Sequence, residues 1–400
     1  MDSKRQAGPG PAAMSDPLSI LVVSHTYVTP ENRGKLEEMG RRARVRALVP
    51  AQGADIAGVQ RAAASGGESY ELVTLPIVGS TLPGTRWLFR RGGRAWEEVW
   101  SLAMLQGLAL RRRHCPRAAL TVFAWESLRR PGWRGSATTP FYRLAIRSAS
   151  AIMVGNRDAR ELFLRQGADA GRIFVTPQVG LDPRRLAQAS PEERRSRRRE
   201  LGLDEDAFVV GFAGRLVPEK GVLDLLEAVR RLQPPGTGVQ MAVLGSGPLE
   251  TQLRERGSRD GRLVILPARP RDQMAPFYQS LDAFVLTSRT TRTWKEQFGM
   301  VAAEAMACAV PVVGSSSGAI PDVIGRAGLI VPEADPDALG AALHRLAVDD
   351  RLRAEIGVAG RRRSARLFSH EAVAATTLRA IEIGRGRAVE RPVAYCDVDD

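Results

Sequence analysis

Lysine is almost missing from this chain. It occurs only at Lys4, Lys35, Lys220 and Lys295, although the formal net charge is +14. The positive charge is therefore almost all arginine, which a coding bias toward arginine explains in part. Cysteine is equally scarce: Cys115, Cys308 and Cys396 are scattered and have no metal-ligand spacing. Cys308 lies in an apolar stretch and reads as a small core residue. The histidines, His25, His114, His344 and His370, are far apart. Asp-x-Asp occurs at Asp204/Asp206, Asp335/Asp337 and Asp397/Asp399, and none of these follows a strand where a metal-bound diphosphate is delivered. No metal and no cofactor is expected. There is no Walker lysine pattern and no Gly-x-Gly-x-x-Gly after a strand, so ATP hydrolysis and NAD chemistry lose support. No apolar run reaches the roughly 18 residues of a membrane-spanning helix. Residues 1–16 are rich in Gly, Pro and Ala, lack the apolar centre of a secretory signal, and read as a disordered tail. The expected compartment is the cytoplasm.

The charge is unevenly placed. Residues 1–180 carry 26 Lys and Arg against 14 Asp and Glu, and residues 181–400 carry 32 against 30. A basic first half points to an anionic partner: an acidic membrane face, a phospholipid or another phosphorylated acceptor. Nucleic acid is the competing partner, but it calls for aromatic residues interleaved with the basic ones, and few stand there. The best surface-binding candidate is Thr85-Arg86-Trp87-Leu88-Phe89-Arg90-Arg91, where bulky apolar groups are flanked by arginine. An ordinary loop around a buried tryptophan is the alternative.

A chain of 400 residues exceeds one ordinary core, and two domains are expected. Short apolar runs alternate with amphipathic stretches, the pattern of parallel sheets covered on both faces. In the first half the strands read as 18–24, 44–49, 71–75, 119–124, 151–154 and 172–176. A helix is expected over about 95–113, with Trp96, Val99, Trp100, Ala103 and Met104 on one face. The turn-rich stretch from Gln178 to Pro183 marks a boundary near 180. The charged stretch 184–200 reads as a solvated helix. Strands then recur near 208–212, 239–244, 263–266, 283–286, 310–313 and 328–331, each feeding a helix. The expected fold is α/β: two doubly wound, Rossmann-like parallel-sheet domains facing each other across a cleft, where ligands bind at the strand carboxyl ends. The first spans 17–180 and the second 181–369, with 370–390 packing back on the first and 385–400 frayed.

Two segments carry the chemistry. In Gly211-Phe212-Ala213-Gly214-Arg215-Leu216-Val217-Pro218-Glu219-Lys220-Gly221, a strand ends at Gly214, and two cations precede a helix. Strand, tight turn, cations and helix start together make an anion site suited to a diphosphate. A surface ion pair with Glu219 is the alternative. The second segment, 294–318, holds Glu296 in a polar approach and Glu304 inside an apolar run, where a carboxylate needs a hydrogen-bonding partner. Gly245-Ser246-Gly247-Pro248 follows a strand and reads as a close backbone approach or a plain turn. Pro267-Ala268-Arg269-Pro270 follows the next strand and is a candidate to flank a nucleotide base.

Together these residues resemble the family-4 retaining glycosyltransferases of the GT-B fold. The likeness rests on Gly214-Arg215 with Glu219-Lys220-Gly221, on the Gly-Ser-Gly-Pro turn, and on Glu296 and Glu304 followed by Ala-Met-Ala-Cys-Ala-Val-Pro-Val-Val-Gly. It is specific over about 205–330, extends weakly back to 151–182 and is poor over the first 150 residues. The resemblance implies a hexosyltransferase in polysaccharide, glycolipid or glycoconjugate biosynthesis. It would use a nucleotide-diphosphate sugar, act with retention and without a metal, and serve a carbohydrate or lipid-linked acceptor, peripherally on the inner membrane face. Arg215 and Lys220 would hold the diphosphate beside Gly214. Glu304 would accept from the ribose. Glu296 would bind the sugar with the backbone N–H groups of Phe298, Gly299 and Met300, which makes Glu296, Arg215 and Lys220 the catalytic set. No nucleic acid is implied. The first loop carries a single glycine, Gly34, where many relatives have a pair, and the strand ending Phe123-Ala124-Trp125-Glu126 lacks the family's usual histidine. Lys35 and Glu126 are the acceptor-side candidates. Ala309 stands where glycine is common. A phosphorylase or a sugar-nucleotide epimerase on the same fold, or a basic nucleic-acid-binding protein, is the competing reading.

Overall fold

The computed structural model describes residues 18–55, 58–64, 66–75, 77–79, 87–89, 93–95, 102–128, 133–257 and 261–398. The second half is one sheet of six parallel strands, in the spatial order Leu263–Leu266, Val239–Leu244, Phe208–Ala213, Ala283–Leu286, Val312–Ser315 and Leu329–Val331. Three of its strands, Phe208–Ala213, Ala283–Leu286 and Val312–Ser315, are buried at every position, as continuous apolar runs covered on both faces require. The chain steps outward from Phe208–Ala213 in one direction, then returns to add Ala283–Leu286 on the other side. The order reverses between those two strands. Their carboxyl ends, Ala213-Gly214 and Leu286-Thr287-Ser288, open the crevice where doubly wound sheets bind ligands.

The first half contributes two parallel three-stranded sheets. One joins Ser19–Val23, Arg44–Pro50 and Glu71–Leu75; the other joins Ile173–Val175, Ala151–Val154 and Thr121–Ala124. The parallel strands therefore lie close to where the sequence places them, with the strand expected at 310–313 shifted to Val312–Ser315. Two antiparallel groups are additions: the hairpin Gln52–Asp55 with Gly58–Arg61, and the strands Ile77–Gly79, Trp87–Phe89 and Gly93–Ala95. Ala95, expected to begin a helix, ends a strand, and the described helix runs Leu102–His114. Trp96, Val99 and Trp100 lie outside the described residues. So do Thr85, Arg86, Arg90 and Arg91 of the surface-binding candidate, of which only the strand Trp87–Phe89 is described.

The two halves meet at paired crossings. Leu181 donates to Phe368 O at 2.9 Å and His370 donates to Leu181 O at 3.0 Å, so the outgoing and returning chains form one short parallel bridge. Gly180 permits it, since a Cβ there would lie 2.6 Å from His370 Cα. The helix His370–Gly384 then packs on Gly34–Gly40 and on Ala151–Val154.

Two expectations need correction. The stretch 184–200 does contain a helix, Pro191–Leu201, capped by a reciprocal Ser190/Glu193 box, but it is not merely solvated. Its Arg198 is buried and donates to Ser280 O, Glu205 O, Ala207 O and Asp282 Oδ2. Nor are the described residues of that end, 385–398, frayed. Tyr395 is buried against Phe298 and Phe368, and Arg363 donates to Tyr395 O and Val398 O.

Ala309 ends the helix Met300–Ala307 with φ at 58°, a left-handed conformation that disfavours a Cβ. Ala309→Gly is expected to add about 0.5–1 kcal/mol of stability, the left-handed cost less the added chain entropy of glycine. Urea unfolding checks it, and a lower midpoint would contradict the strain.

Candidate active site

Lys220 and Glu296 arrive from the two strands that flank the switch point. The first ends the single turn Pro218–Lys220 that follows Phe208–Ala213; the second lies in the loop after Ala283–Leu286. Lys220 Nζ stands 2.5 Å from Glu296 Oε2, which also accepts from Ser288 Oγ at 2.7 Å. The ammonium lies 4.9 Å from the centre of the Trp294 ring, within cation–π range. Glu296 is buried, and its Oε1 has no partner among the described residues. Its backbone is fixed by close packing: Ala319 donates to Glu296 O at 3.0 Å, and a Cβ on Gly318 would lie 2.1 Å from that oxygen.

Gly214 follows the strand and donates to Leu244 O at 3.0 Å. Arg215 is 54% exposed, and its ion pair among the described residues is a 4.0 Å contact with Glu219. The ion-pair alternative for Arg215 therefore amounts to a weak surface contact. Phe298 is buried, Gly299 is left-handed with φ at 83°, and Met300 opens the helix Met300–Ala307, whose start no side chain caps. The positive end of that helix adjoins Glu296.

Glu304 has partners within the protein. Arg271 Nε donates to Oε1 at 2.5 Å and Tyr278 Oη donates to Oε2 at 2.8 Å. Burial and the adjacent Glu304 charge push the Tyr278 phenol well above its ordinary range, so the proton stays on the donor. A ribose is thus not required to explain the buried carboxylate. Arg271 also donates to Asn32 Oδ1 at 2.8 Å and to Gly180 O at 3.1 Å, joining the second domain to the first domain and to the crossing. Arg271, which pairs with Glu304, lies five residues beyond the strand Leu263–Leu266. Arg269, the residue singled out from the sequence, is half-buried in the turn before Arg271.

On the opposite wall, Lys35 is buried and donates to Gln178 O at 3.0 Å; burial lowers its pKa to about 7. The Gln178 side chain accepts from Thr26 Oγ1 and from the Trp125 indole N–H. Glu126 is turned toward the helix Trp133–Ser148, accepting from Tyr142 Oη at 2.5 Å. Its neighbour Trp125 meets the loop 294–299 instead, with ring centres 6.1 Å from Phe298 and Trp125 O accepting from Gln297 Nε2. Asn156 Nδ2 donates to Gln297 O, and Lys295 pairs with Asp158 at 2.5 Å. The loop 294–299 therefore spans the cleft. Ser288, Arg271, Tyr278, Trp125 and Gln178 were missed in the sequence; only Ser288 and Trp125 carried a signal, their position at strand ends.

Among the described residues, no three His, Cys, Asp or Glu side chains cluster to hold a metal, and no helix is long and apolar enough to cross a membrane.

His370, at the crossing, has a buried Nδ1 with no hydrogen-bond partner among the described residues. Burial, reinforced by Arg271, lowers its pKa from 6.5 to about 4; Asp182 opposes the shift and Arg184 adds to it. The folded state thus holds this ring neutral while the unfolded chain takes up a proton. Stability is expected to fall as pH drops from 6.5 through 4. His370→Gln is expected to flatten that part of the pH–stability curve, and an unchanged slope would contradict the assignment.

Residues 207–349 match the family model of group 1 glycosyl transferases. The chain is 31% identical over 281 residues to the GDP-mannose-dependent alpha-(1-6)-phosphatidylinositol monomannoside mannosyltransferase of Mycolicibacterium smegmatis, covering 66% of this chain and 71% of that protein. It is 33% identical over 186 residues to the corresponding monoacylated-substrate mannosyltransferase of Corynebacterium glutamicum, covering 46% of this chain and 49% of that protein. The chain thus matches about half the length of several such relatives. Among solved structures, Anabaena HepE in complex with UDP superposes with a TM-score of 0.64 at 17% identity, over 92% of this chain and all of that one.

Proposed function

The chain belongs to the group 1 glycosyltransferases of the GT-B fold, and from that premise we propose that it moves a hexose from a nucleotide-diphosphate sugar to an acceptor with retention. The observation that carries this reading is the Lys220–Glu296 pair at the switch point of the second sheet, on a loop that touches the first domain. Lys220 and Arg215 take the diphosphate, the second as a mobile fork that grips two oxygens. Glu296 Oε1 accepts from a hydroxyl of the donor sugar, and the helix start at Met300 faces the developing negative charge. Arg269 flanks the base. Each oxygen of Glu304 keeps a second lone pair, so a ribose hydroxyl adds to Arg271 and Tyr278 rather than replacing them.

In the reaction, the bond from sugar C1 to the phosphate oxygen breaks while the acceptor oxygen bonds to C1 on the same face. The acceptor proton passes to the departing phosphate. Charge on that phosphate is met by Lys220, Arg215 and the helix, so neither a metal nor a cofactor has a part in this scheme, and no flanking pair of carboxylates is needed. Lys35 and the Gln178–Trp125 wall form the acceptor side, with Glu126 behind it. The acceptor is a carbohydrate or a lipid-linked polyol, in keeping with relatives named for phosphatidylinositol mannosides and D-inositol 3-phosphate. A basic first half, with exposed Leu110 next to Arg111, Arg112 and Arg113, suits work at an anionic membrane face in the cytoplasm; nucleic acid has no place in this scheme. The test is release of nucleoside diphosphate from a panel of nucleotide sugars, with inositol, inositol phosphate and phosphatidylinositol vesicles as acceptors, and the anomeric configuration of the product read by NMR. Acceptor-dependent release with retention is expected. Release with inversion, or a sugar altered without any acceptor, would overturn the reading.

A further inference from the structure

The segment after the helix His370–Gly384 does not stay on the first domain. Arg391 donates to Ala170 O, Gly171 O and Ile173 O and lies over the Phe174 ring, all in the first domain. A few residues later the same segment is held by the second domain. Arg363, itself buried, donates to Tyr395 O and Val398 O while its remaining N–H groups hold Val323 O and Asp322 O. Arg157 of the first domain reaches back to Cys396 O. The segment is a strap across both domains.

Its one buried aromatic is Tyr395. The hydroxyl donates to Gly155 O at 2.9 Å, one residue before the Asn156 that holds Gln297. The ring stands edge-on to Phe298 at 5.6 Å and to Phe368 at 5.5 Å, while Phe298 and Phe368 meet at 5.2 Å. These three rings pack mutually, and Trp125 closes the cluster from the acceptor side. Phe298 lies two residues after Glu296 and directly before the left-handed Gly299 that opens the helix. Its ring is the only large apolar anchor between Trp294 and Met300. The backbone on which the sugar-facing groups depend is thus seated on an aromatic from the far end of the chain.

We propose that Tyr395, carried by the strap 385–398, is a positioning residue for the donor sugar, acting through Phe298 to hold the Glu296–Met300 loop in register. This rests on the donor reading given above. The nucleoside diphosphate also has Arg215, Lys220 and Glu304, all outside the Glu296–Met300 loop, whereas the sugar has the loop alone. Loss of the strap contact therefore separates the two parts of the ligand, where a general loss of folding would weaken both.

The experiment is calorimetric titration of the full chain and its variants with a nucleotide sugar that the wild type binds, and separately with the parent nucleoside diphosphate. Tyr395→Ala removes two edge-on ring contacts and is expected to weaken nucleotide-sugar binding about tenfold while leaving the nucleoside diphosphate within about twofold. Tyr395→Phe keeps the ring and is expected to restore sugar-dependent binding to within about threefold of wild type. Tyr395→Leu, which retains apolar bulk, is read in parallel and decides the matter if the alanine variant does not fold. Equal weakening of both ligands, or no weakening of either, overturns the positioning role. Failure of the wild type to bind any nucleotide sugar overturns the donor reading itself, and the proposal with it.

Discussion

Lys220→Met is expected to lower the transfer rate by about 10²–10³-fold, because on the proposed reading it removes a half-buried cation that meets the departing phosphate. Its ammonium is anchored by Glu296 at 2.5 Å and by the face of Trp294, so it is already oriented before substrate arrives. Glu296→Gln keeps the volume but removes the charge that holds Lys220 in place. It is expected to cost a comparable factor, through the sugar contact and through a displaced lysine. The two side chains act as a unit, so the double variant is expected to lose far less than the product of the two single losses. Steady-state kinetics with unchanged melting profiles check this. Wild-type turnover in either single variant would remove the pair from the mechanism.

The largest stability effect is expected away from the chemistry, at Asp282. Its carboxylate accepts from Arg198 Nη2 at 2.5 Å, Arg194 Nη1 at 3.0 Å and the backbone N–H of Val209 at 2.7 Å. These bonds fasten the helix Pro191–Leu201 beneath the strands Phe208–Ala213 and Ala283–Leu286, the two that flank the switch point. Asp282→Ala leaves the Arg198 guanidinium, whose side chain is 5% exposed, without its counter-charge and leaves the Val209 N–H unpaired. Breaking one side of a buried pair in this way costs about 3–5 kcal/mol. Urea unfolding measures it, and a loss below about 1 kcal/mol would mean that the carbonyls of Ser280, Glu205 and Ala207 suffice for Arg198. Where enough protein stays folded, KM for the donor is expected to be unchanged, since no atom of this network touches the site.

That Lys220 and Glu296 lie at the switch point was legible because each belongs to one local segment of the sequence. Lys220 sits in one strand–turn–helix segment and Glu296 in another, and both strands read as unbroken apolar runs. The partner of Glu304 was not legible, because Arg271 gains its meaning only where Asn32, Gly180 and Glu304 converge. Arg198 was hidden in a run of like residues, only some of which face inward. Tyr395 was hidden in a polar, arginine-containing end with no periodicity to announce a buried ring. The antiparallel strands Ile77–Gly79, Trp87–Phe89 and Gly93–Ala95 follow short stretches whose pairing partners, not their composition, make them strands.

The central assignment, a nucleotide-sugar site built on Lys220 and Glu296, is tested most directly by thermal and urea unfolding of the wild type and of Lys220→Met against a panel of nucleotide sugars. A ligand held at 100 times its dissociation constant adds about 2.7 kcal/mol to the wild type. The expected result is such a stabilisation by at least one nucleotide sugar, largely lost in Lys220→Met at the same concentration. No stabilisation by any nucleotide sugar, or equal stabilisation of both proteins, would contradict it.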